Sequence, residues 1–216
     1  MEQARSDWPW INGDGGDGET TYTTNDYVIA VLDSGIRQDH AAFNGPLVNG
    51  QNSKFVALYD FVHADGIPEE ETNINCLQYG HGTGVAAIAA GRQWTNNGVN
   101  YRGVAPGARL VIAKIGECNT GYLNHTISAL QWIVGLKQAG HKIVAVNYSY
   151  GSGTCDPSSL TDPYPAVQQA FINTWNAGIL PITAAGNSGP DPCTVDAMKT
   201  INEMLVVGNM HKPDST

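Results

Sequence analysis

Charge is scarce in this chain. Asp, Glu, Lys and Arg make up 14% of its 216 residues, about half the usual share. Basic residues are scarcer still: 11 Lys and Arg stand against 20 Asp and Glu, a net charge of −9. That balance leaves no electrostatic footprint for nucleic acid or for an anionic membrane surface. No apolar run approaches the ~18–20 residues that span a bilayer. The polar start, Met1-Glu2-Gln3-Ala4-Arg5-Ser6-Asp7, has no apolar signal-peptide core, so the protein is cytosolic or its leader is not part of this chain. The four cysteines (Cys76, Cys118, Cys155 and Cys193) show no C-x-x-C spacing, which argues against a zinc ribbon or a thioredoxin-like site. Two disulfides and buried free thiols both fit the even count. No G-x-G-x-x-G follows the first strand-like segment, which disfavours a Rossmann-type nucleotide binder.

What is present is apolar and turn-rich: 42% hydrophobic residues, 25 glycines and 11 prolines. That is ample for one core and one domain, and the reverse of a disordered composition. Tyr27–Leu32 is a short β-branched run ending in Asp33-Ser34-Gly35, the pattern of a strand buried on both faces. Further strands are expected over 54–62, 109–115, 142–148, 179–185 and 204–207. Helices are expected over 81–90, closed by Gly91, and over 122–139, where Leu123, Ile127, Leu130 and Val134 form an apolar stripe closed by Gly140. Another is expected over 165–177, with Val167, Ala170, Phe171 and Trp175 on one side. The alternation predicts an α/β fold, a mostly parallel sheet with helices on both faces. Ligands of such sheets bind at the carboxyl ends of strands. That rule picks out Asp33, the segment 147–153 and the segment 184–188. The stretch 1–25 reads as an irregular N-terminal arm.

Three segments carry chemistry. An acid ends the first strand in Leu32-Asp33-Ser34-Gly35-Ile36. A histidine opens a small-residue helix in Gly80-His81-Gly82-Thr83-Gly84-Val85-Ala86. An amide stands where a strand breaks in Ala184-Ala185-Gly186-Asn187-Ser188-Gly189. Each has an ordinary reading as a cap or a turn residue. Together they are parts that serine-nucleophile hydrolysis needs: a buried carboxylate, an imidazole base and a preorganised oxyanion donor.

These motifs, with Gly103-Val104-Ala105-Pro106-Gly107-Ala108 and Asn147-Tyr148-Ser149-Tyr150-Gly151, resemble those of the subtilisin-like serine peptidases from about Tyr27 to Asn209. The resemblance implies Asp33 as the orienting acid, His81 as general base and acid, and Asn187 as the oxyanion donor. It implies that Ser149, Tyr150 and Gly151, with Ala184, Ala185 and Gly186, flank the primary specificity pocket. Asn119, Thr120 and Gly121 correspond to a second substrate-binding edge, where a peptide adds as a strand. The partners implied are polypeptide substrates and a pro-peptide outside this chain, and the location secreted. No cofactor is required for the chemistry. If the segments beside Asn147–Gly151 and Asn187 flank one pocket, a Cys155–Cys193 disulfide follows; the pairing of Cys76 and Cys118 stays open.

The chain also departs from the family. The nucleophile falls roughly 160 residues after the histidine in the family's order, beyond Thr216. No Gly-Thr-Ser motif or G-x-S-x-G elbow surrounds any serine present. The expectation is therefore a C-terminally incomplete subtilisin-like domain over 1–216, inactive by itself. The rival is a non-catalytic relative that binds peptides or regulates a partner. The Asp33-to-His81 gap is about 16 residues longer than in the family pattern, which places an insertion at 64–78. Its Asp65, Glu69, Glu70 and Glu71 read as a substrate-flanking loop, a structural calcium site or a solvated acidic loop. The family's strong calcium site draws an Asp soon after the DSG motif, where this chain has Ala41 and Ala42.

Overall fold

The computed structural model describes residues 12–15, 22–44, 47–48, 51–151, 155–156 and 164–209. Its strands in chain order are β1 (Val28–Asp33), β2 (Leu47–Val48), β3 (Gln51–Asn52), β4 (Phe55–Asp60), β5 (Trp94–Asn96), β6 (Val99–Tyr101), β7 (Arg109–Lys114), β8 (Gly116–Glu117), β9 (Thr120–Gly121), β10 (Ile143–Tyr148), β11 (Leu180–Ala184) and β12 (Leu205–Val207). The helices are α1 (His81–Ala90), α2 (Leu123–Gln138) and α3 (Tyr164–Asn176). Six strands form one sheet in the order β12-β11-β10-β1-β7-β4, and every pairing in it is parallel. Three short antiparallel hairpins, β2–β3, β5–β6 and β8–β9, were not foreseen; each strand is too short to leave a periodic signal.

β1 sits at the centre because both its faces are apolar. Val28, Ala30 and Leu32 enter a core cluster with Ala129, Leu130 and Ile133 of α2 and Val167, Ala170 and Phe171 of α3. Val31 points the other way, among Phe43, Leu110, Ile112 and Ala86, Ala87 and Ala90 of α1. The period of two in a strand thus divides helices between the two faces of the sheet. α1 has two glycines in its first turns and no side-chain cap at Gly80, so propensity alone does not account for it; its alanine face packed on the sheet does. α2 ends before Gly140 (φ +103), and Lys137 in its last turn donates to Ile143 O at 2.7 Å and Gly178 O at 3.1 Å.

The helical faces differ from the expected stripes by about one residue. In α2 the buried positions are Thr126, Ala129, Leu130 and Ile133, while Leu123, Ile127 and Val134 are only partly buried. In α3, Thr174 is buried and Trp175 is 47% exposed. Leu130 of α2 and Val167, Ala170 and Phe171 of α3 are buried as expected; Ile127 and Val134 instead line a hollow of about 390 Å³ between the two helices. From residues 1–25, the described parts hold to the body through Gly13 O, which accepts from Tyr27 N at 3.1 Å, and through buried Tyr22.

Candidate active site

The chain runs β1, β4, β7 to one side of the sheet centre and β10, β11, β12 to the other. The crevice at the carboxyl ends of β1, β10 and β11 is therefore a topological switch point, the expected place for a ligand. Asp33 ends β1, Ser149–Gly151 follow β10, and Ala185–Asn187 follow β11.

His81 Nδ1 lies 2.7 Å from Asp33 Oδ1. The Asp33 side chain is wholly buried and the His81 side chain 39% exposed. Asp33 Oδ1 also accepts from Ser34 N at 2.8 Å, while Ser34 Oγ, 3.2 Å away, has a shorter acceptor in Glu70. The bond to Asp33 holds the imidazole pKa above its ordinary 6.5; desolvation opposes this, and the charges of Asp33 and Glu70 add to it. The approach depends on Gly82, where a Cβ would fall 2.3 Å from Gly35 O and 3.2 Å from Asp33 Cβ. A histidine whose Nδ1 is fixed by a buried acid presents its Nε2 side to the cleft as a proton acceptor.

His81 opens onto a cleft of about 310 Å³. Ser149, Tyr150 and Gly151 line one side of it, and Ala184, Ala185, Gly186 and Asn187 the other. Asn187 follows Gly186, whose φ of +106 turns the chain out of β11. A neighbouring hollow is lined by Asn119 and Gly121 of the β8–β9 turn, together with Tyr150 and Gly151; Thr120 is exposed between them. The sequence-derived residues thus gather at one end of the sheet, with Asp33 alone behind the cleft surface.

Both cysteine pairs form. Cys155 and Cys193 are bonded with Cα atoms 4.9 Å apart, beside the two walls of the cleft. Cys76 and Cys118 are also bonded, with Cα atoms 4.7 Å apart. That second bridge staples the 64–78 loop to the turn that carries Asn119. Leu77 N donates to Asn119 Oδ1, Asn119 N to Gln78 Oε1, and Cys118 N to Glu71 Oε2 at 3.0 Å. The carboxylates of this loop have separate partners. Asp65 accepts from Ile67 N and Glu71 from Asn73 N, while Glu70 turns inward, 5% exposed. Among the described residues the one metal-like cluster is Glu71, Cys76 and Cys118, and its sulfurs are spent in the disulfide.

Two charged residues hold places the sequence reading does not give them. Glu70, read there only as one acid of the 64–78 loop, is one. Lys199 is the other: 2% exposed, it lines the cleft and donates to Ala184 O at 2.8 Å. A Cβ on Gly151 would meet its Nζ at 2.5 Å. Burial lowers the Lys199 pKa, opposed by the charge of Asp196. No spacing signal marks a lysine that reaches its place through a short 3-10 turn, Ala197–Lys199.

Known proteins resemble this chain in sequence and fold. The chain is 32% identical over 162 residues to the thermophilic serine proteinase of Bacillus sp. (strain AK1), covering 74% of this chain and 33% of that protein. It is 31% identical over 161 residues to thermitase of Thermoactinomyces vulgaris, covering 74% and 47%. The solved structure of the S41 psychrophilic protease superposes with a TM-score of 0.65 at 28% identity, covering 83% of this chain and 52% of that one. The chain thus spans about a third to a half of the length of these curated relatives. The Subtilase family model matches residues 24–216, and with that match running through the whole of the sheet and its crevice, the chain belongs to the subtilase family of serine peptidases.

Proposed function

We propose that the protein is a serine-type endopeptidase in which Asp33, His81 and Asn187 perform the chemistry on a polypeptide substrate. The observation that carries this reading is the 2.7 Å contact between wholly buried Asp33 and partly exposed His81. His81 takes the proton of an attacking serine and returns it to the leaving amine. Asp33 fixes the imidazole tautomer and balances the imidazolium. Asn187 donates to the oxyanion of the tetrahedral intermediate. The walls at Ser149–Gly151 and Ala184–Gly186 hold the side chain before the scissile bond. The edge at Asn119–Gly121 pairs with the substrate backbone.

The serine comes from the part of a subtilase domain beyond this chain's match. Of the serines near the cleft, Ser34 Oγ donates to Glu70 Oε1, Ser149 Oγ accepts from Asn147, and Ser188 lines the cleft directly after Asn187; none stands in the Gly-Thr-Ser context of the family's nucleophile. The chemistry calls for no metal. Two disulfides favour an oxidising, extracellular setting, and among the described residues no helix is long and apolar enough to cross a membrane.

The test is cleavage of casein or a chromogenic peptide by the full-length protein. Activity lost in His81→Ala and on treatment with a serine-directed sulfonyl fluoride supports the reading. Cleavage that survives His81→Ala overturns it. Peptide binding without cleavage would establish the non-catalytic relative instead.

A further inference from the structure

Glu70 belongs to the loop inserted between the acid and the histidine, where a solvated acidic surface is the simplest expectation. The structure buries it. Ile36 N donates to Pro68 O at 2.8 Å, Ile36 and Glu69 form a parallel bridge, and Lys114 Nζ donates to Glu69 O at 3.1 Å. The segment 68–70 is thereby drawn onto the exit of β1. Gly35 permits this: at φ +122, a Cβ there would lie 2.3 Å from Glu69 O.

The Glu70 carboxylate then accepts four hydrogen bonds. Oε1 receives Ser34 Oγ at 2.6 Å and Glu71 N at 2.9 Å. Oε2 receives Thr83 N at 2.6 Å and Thr83 Oγ1 at 2.7 Å. Its acceptor capacity is well used, yet no Lys, Arg or His among the described residues forms an ion pair with it. The positive partner is the first turn of α1, whose free N–H groups and dipole favour an anion. α1 has no side-chain cap of its own at Gly80, and Glu70 supplies one from another segment. That turn begins with His81, and Ser34 is bonded in sequence to Asp33. One carboxylate therefore clamps both halves of the pair, and Gly82 N closes the ring by donating to Ser34 Oγ at 3.0 Å.

We propose that Glu70 is a positioning residue for the Asp33–His81 pair, fixing the geometry through Ser34 and Thr83 and adding a second negative charge that favours the imidazolium of the transition state. This rests on the peptidase reading above. The groups facing the pair are Asp33 from β1, Glu70 from the inserted loop, the partly buried Tyr150 phenol after β10 and the Lys199 ammonium across the cleft. Lys114 of β7 is bonded to Glu69 O nearby. Removing the Glu70 charge leaves Asp33 as the only anion acting on His81, which lowers the imidazole's proton affinity.

The experiment compares wild type, Glu70→Gln, Glu70→Asp and Thr83→Val in the full-length protein with a chromogenic peptide, beside an NMR titration of the His81 imidazole that needs no turnover. Glu70→Gln is expected to lower kcat on the order of tenfold, the scale of a hydrogen bond to a charged group, with KM nearly unchanged. It should move both the acid limb of kcat/KM and the His81 titration to lower pH. Glu70→Asp keeps the charge and is expected to leave the limb near its wild-type position. Thr83→Val keeps the charge, loses one donor and is expected to lower kcat several-fold; this arm decides the clamp if Glu70→Gln does not fold. An unmoved limb and an unmoved His81 titration in folded Glu70→Gln, or an unchanged kcat in Thr83→Val, overturn the proposal. If His81→Ala abolishes activity while these variants behave as wild type, the peptidase reading stands without Glu70. If His81→Ala stays active that reading falls, and the titration still decides whether Glu70 acts on His81.

Discussion

His81 Nδ1 meets Asp33 Oδ1 at 2.7 Å across 48 residues of sequence. The contact joins the end of the central strand to the first turn of a helix on one face of the sheet. On the proposed mechanism, in which Asp33 holds one tautomer of His81, breaking it should cost far more activity than stability. Asp33→Asn in the full-length protein is expected to lower kcat by about 10⁴-fold, the scale known for this substitution in a serine-protease triad. Peptide kinetics beside a thermal melt will show it.

The same contact sets the pH profile. Asp33 raises the His81 pKa above 6.5, and the base must be neutral to accept a proton. Activity should therefore rise with pH along a limb centred above 6.5. Stability runs the other way: the charged pair contributes fully below the ordinary histidine value and is lost as pH climbs through the raised one. A kcat/KM profile and denaturant midpoints between pH 5 and 9 check the two signs.

Asn187 stands across the cleft from His81, on the turn after β11. Asn187→Ala is expected to lower kcat by about 10²–10³-fold with KM little changed; that range comes from subtilisin itself, a member of the same family. A KM-dominated loss would assign Asn187 to substrate binding instead.

Gly82→Ala tests the close approach beneath the pair. A Cβ there would fall 2.3 Å from Gly35 O, and that atom is backbone with little room to yield. The variant should lose about 1–3 kcal/mol, as overpacked interiors do, and most of its kcat, since α1 must lift away from Asp33. Chemical denaturation and a peptide assay measure both losses.

The Cys76–Cys118 bridge, spanning a sequence separation of 42, ties the 64–78 loop to the β8–β9 turn. Cys76→Ser is expected to destabilise by about 2–4 kcal/mol on the chain-entropy argument. Hydrogen exchange should quicken first over 69–79 and 117–121, whose mutual contacts the bridge holds.

Much of the architecture was legible in local patterns. The run Val28–Asp33 announced a strand buried on both faces, because only a central parallel strand needs two apolar faces. α1 was bounded correctly by its run of small residues and by Gly91. Asp33, His81 and Asn187 were recognisable by their motifs, in which Gly35 and Gly82 are required by close backbone approach and Gly186 by its φ of +106. The buried lines of α2 and α3 were legible in part: Leu130, Val167, Ala170 and Phe171 are buried as their stripes imply, whereas Ile127 and Val134 line a hollow between the helices. Thr126 and Thr174, which the polarity pattern assigns outward, are buried with their hydroxyls bonded back to the turn before.

The boundary between the two kinds of information is clearest at the acids. The sequence by itself determined the α/β alternation, the family motifs and the acidic character of the 64–78 loop, because these depend on neighbours within a few residues. Only the tertiary structure decided that Glu70 turns inward to Ser34 and Thr83 while Glu71 faces the Cys118 backbone, and that Lys199 enters the cleft wall. The physical reason is that a charge is buried where distant donors converge to offset its desolvation. For Glu70 those donors are Ser34 just after β1, Thr83 of α1 and the neighbouring Glu71 N, and no spacing in the chain encodes the meeting of the first two.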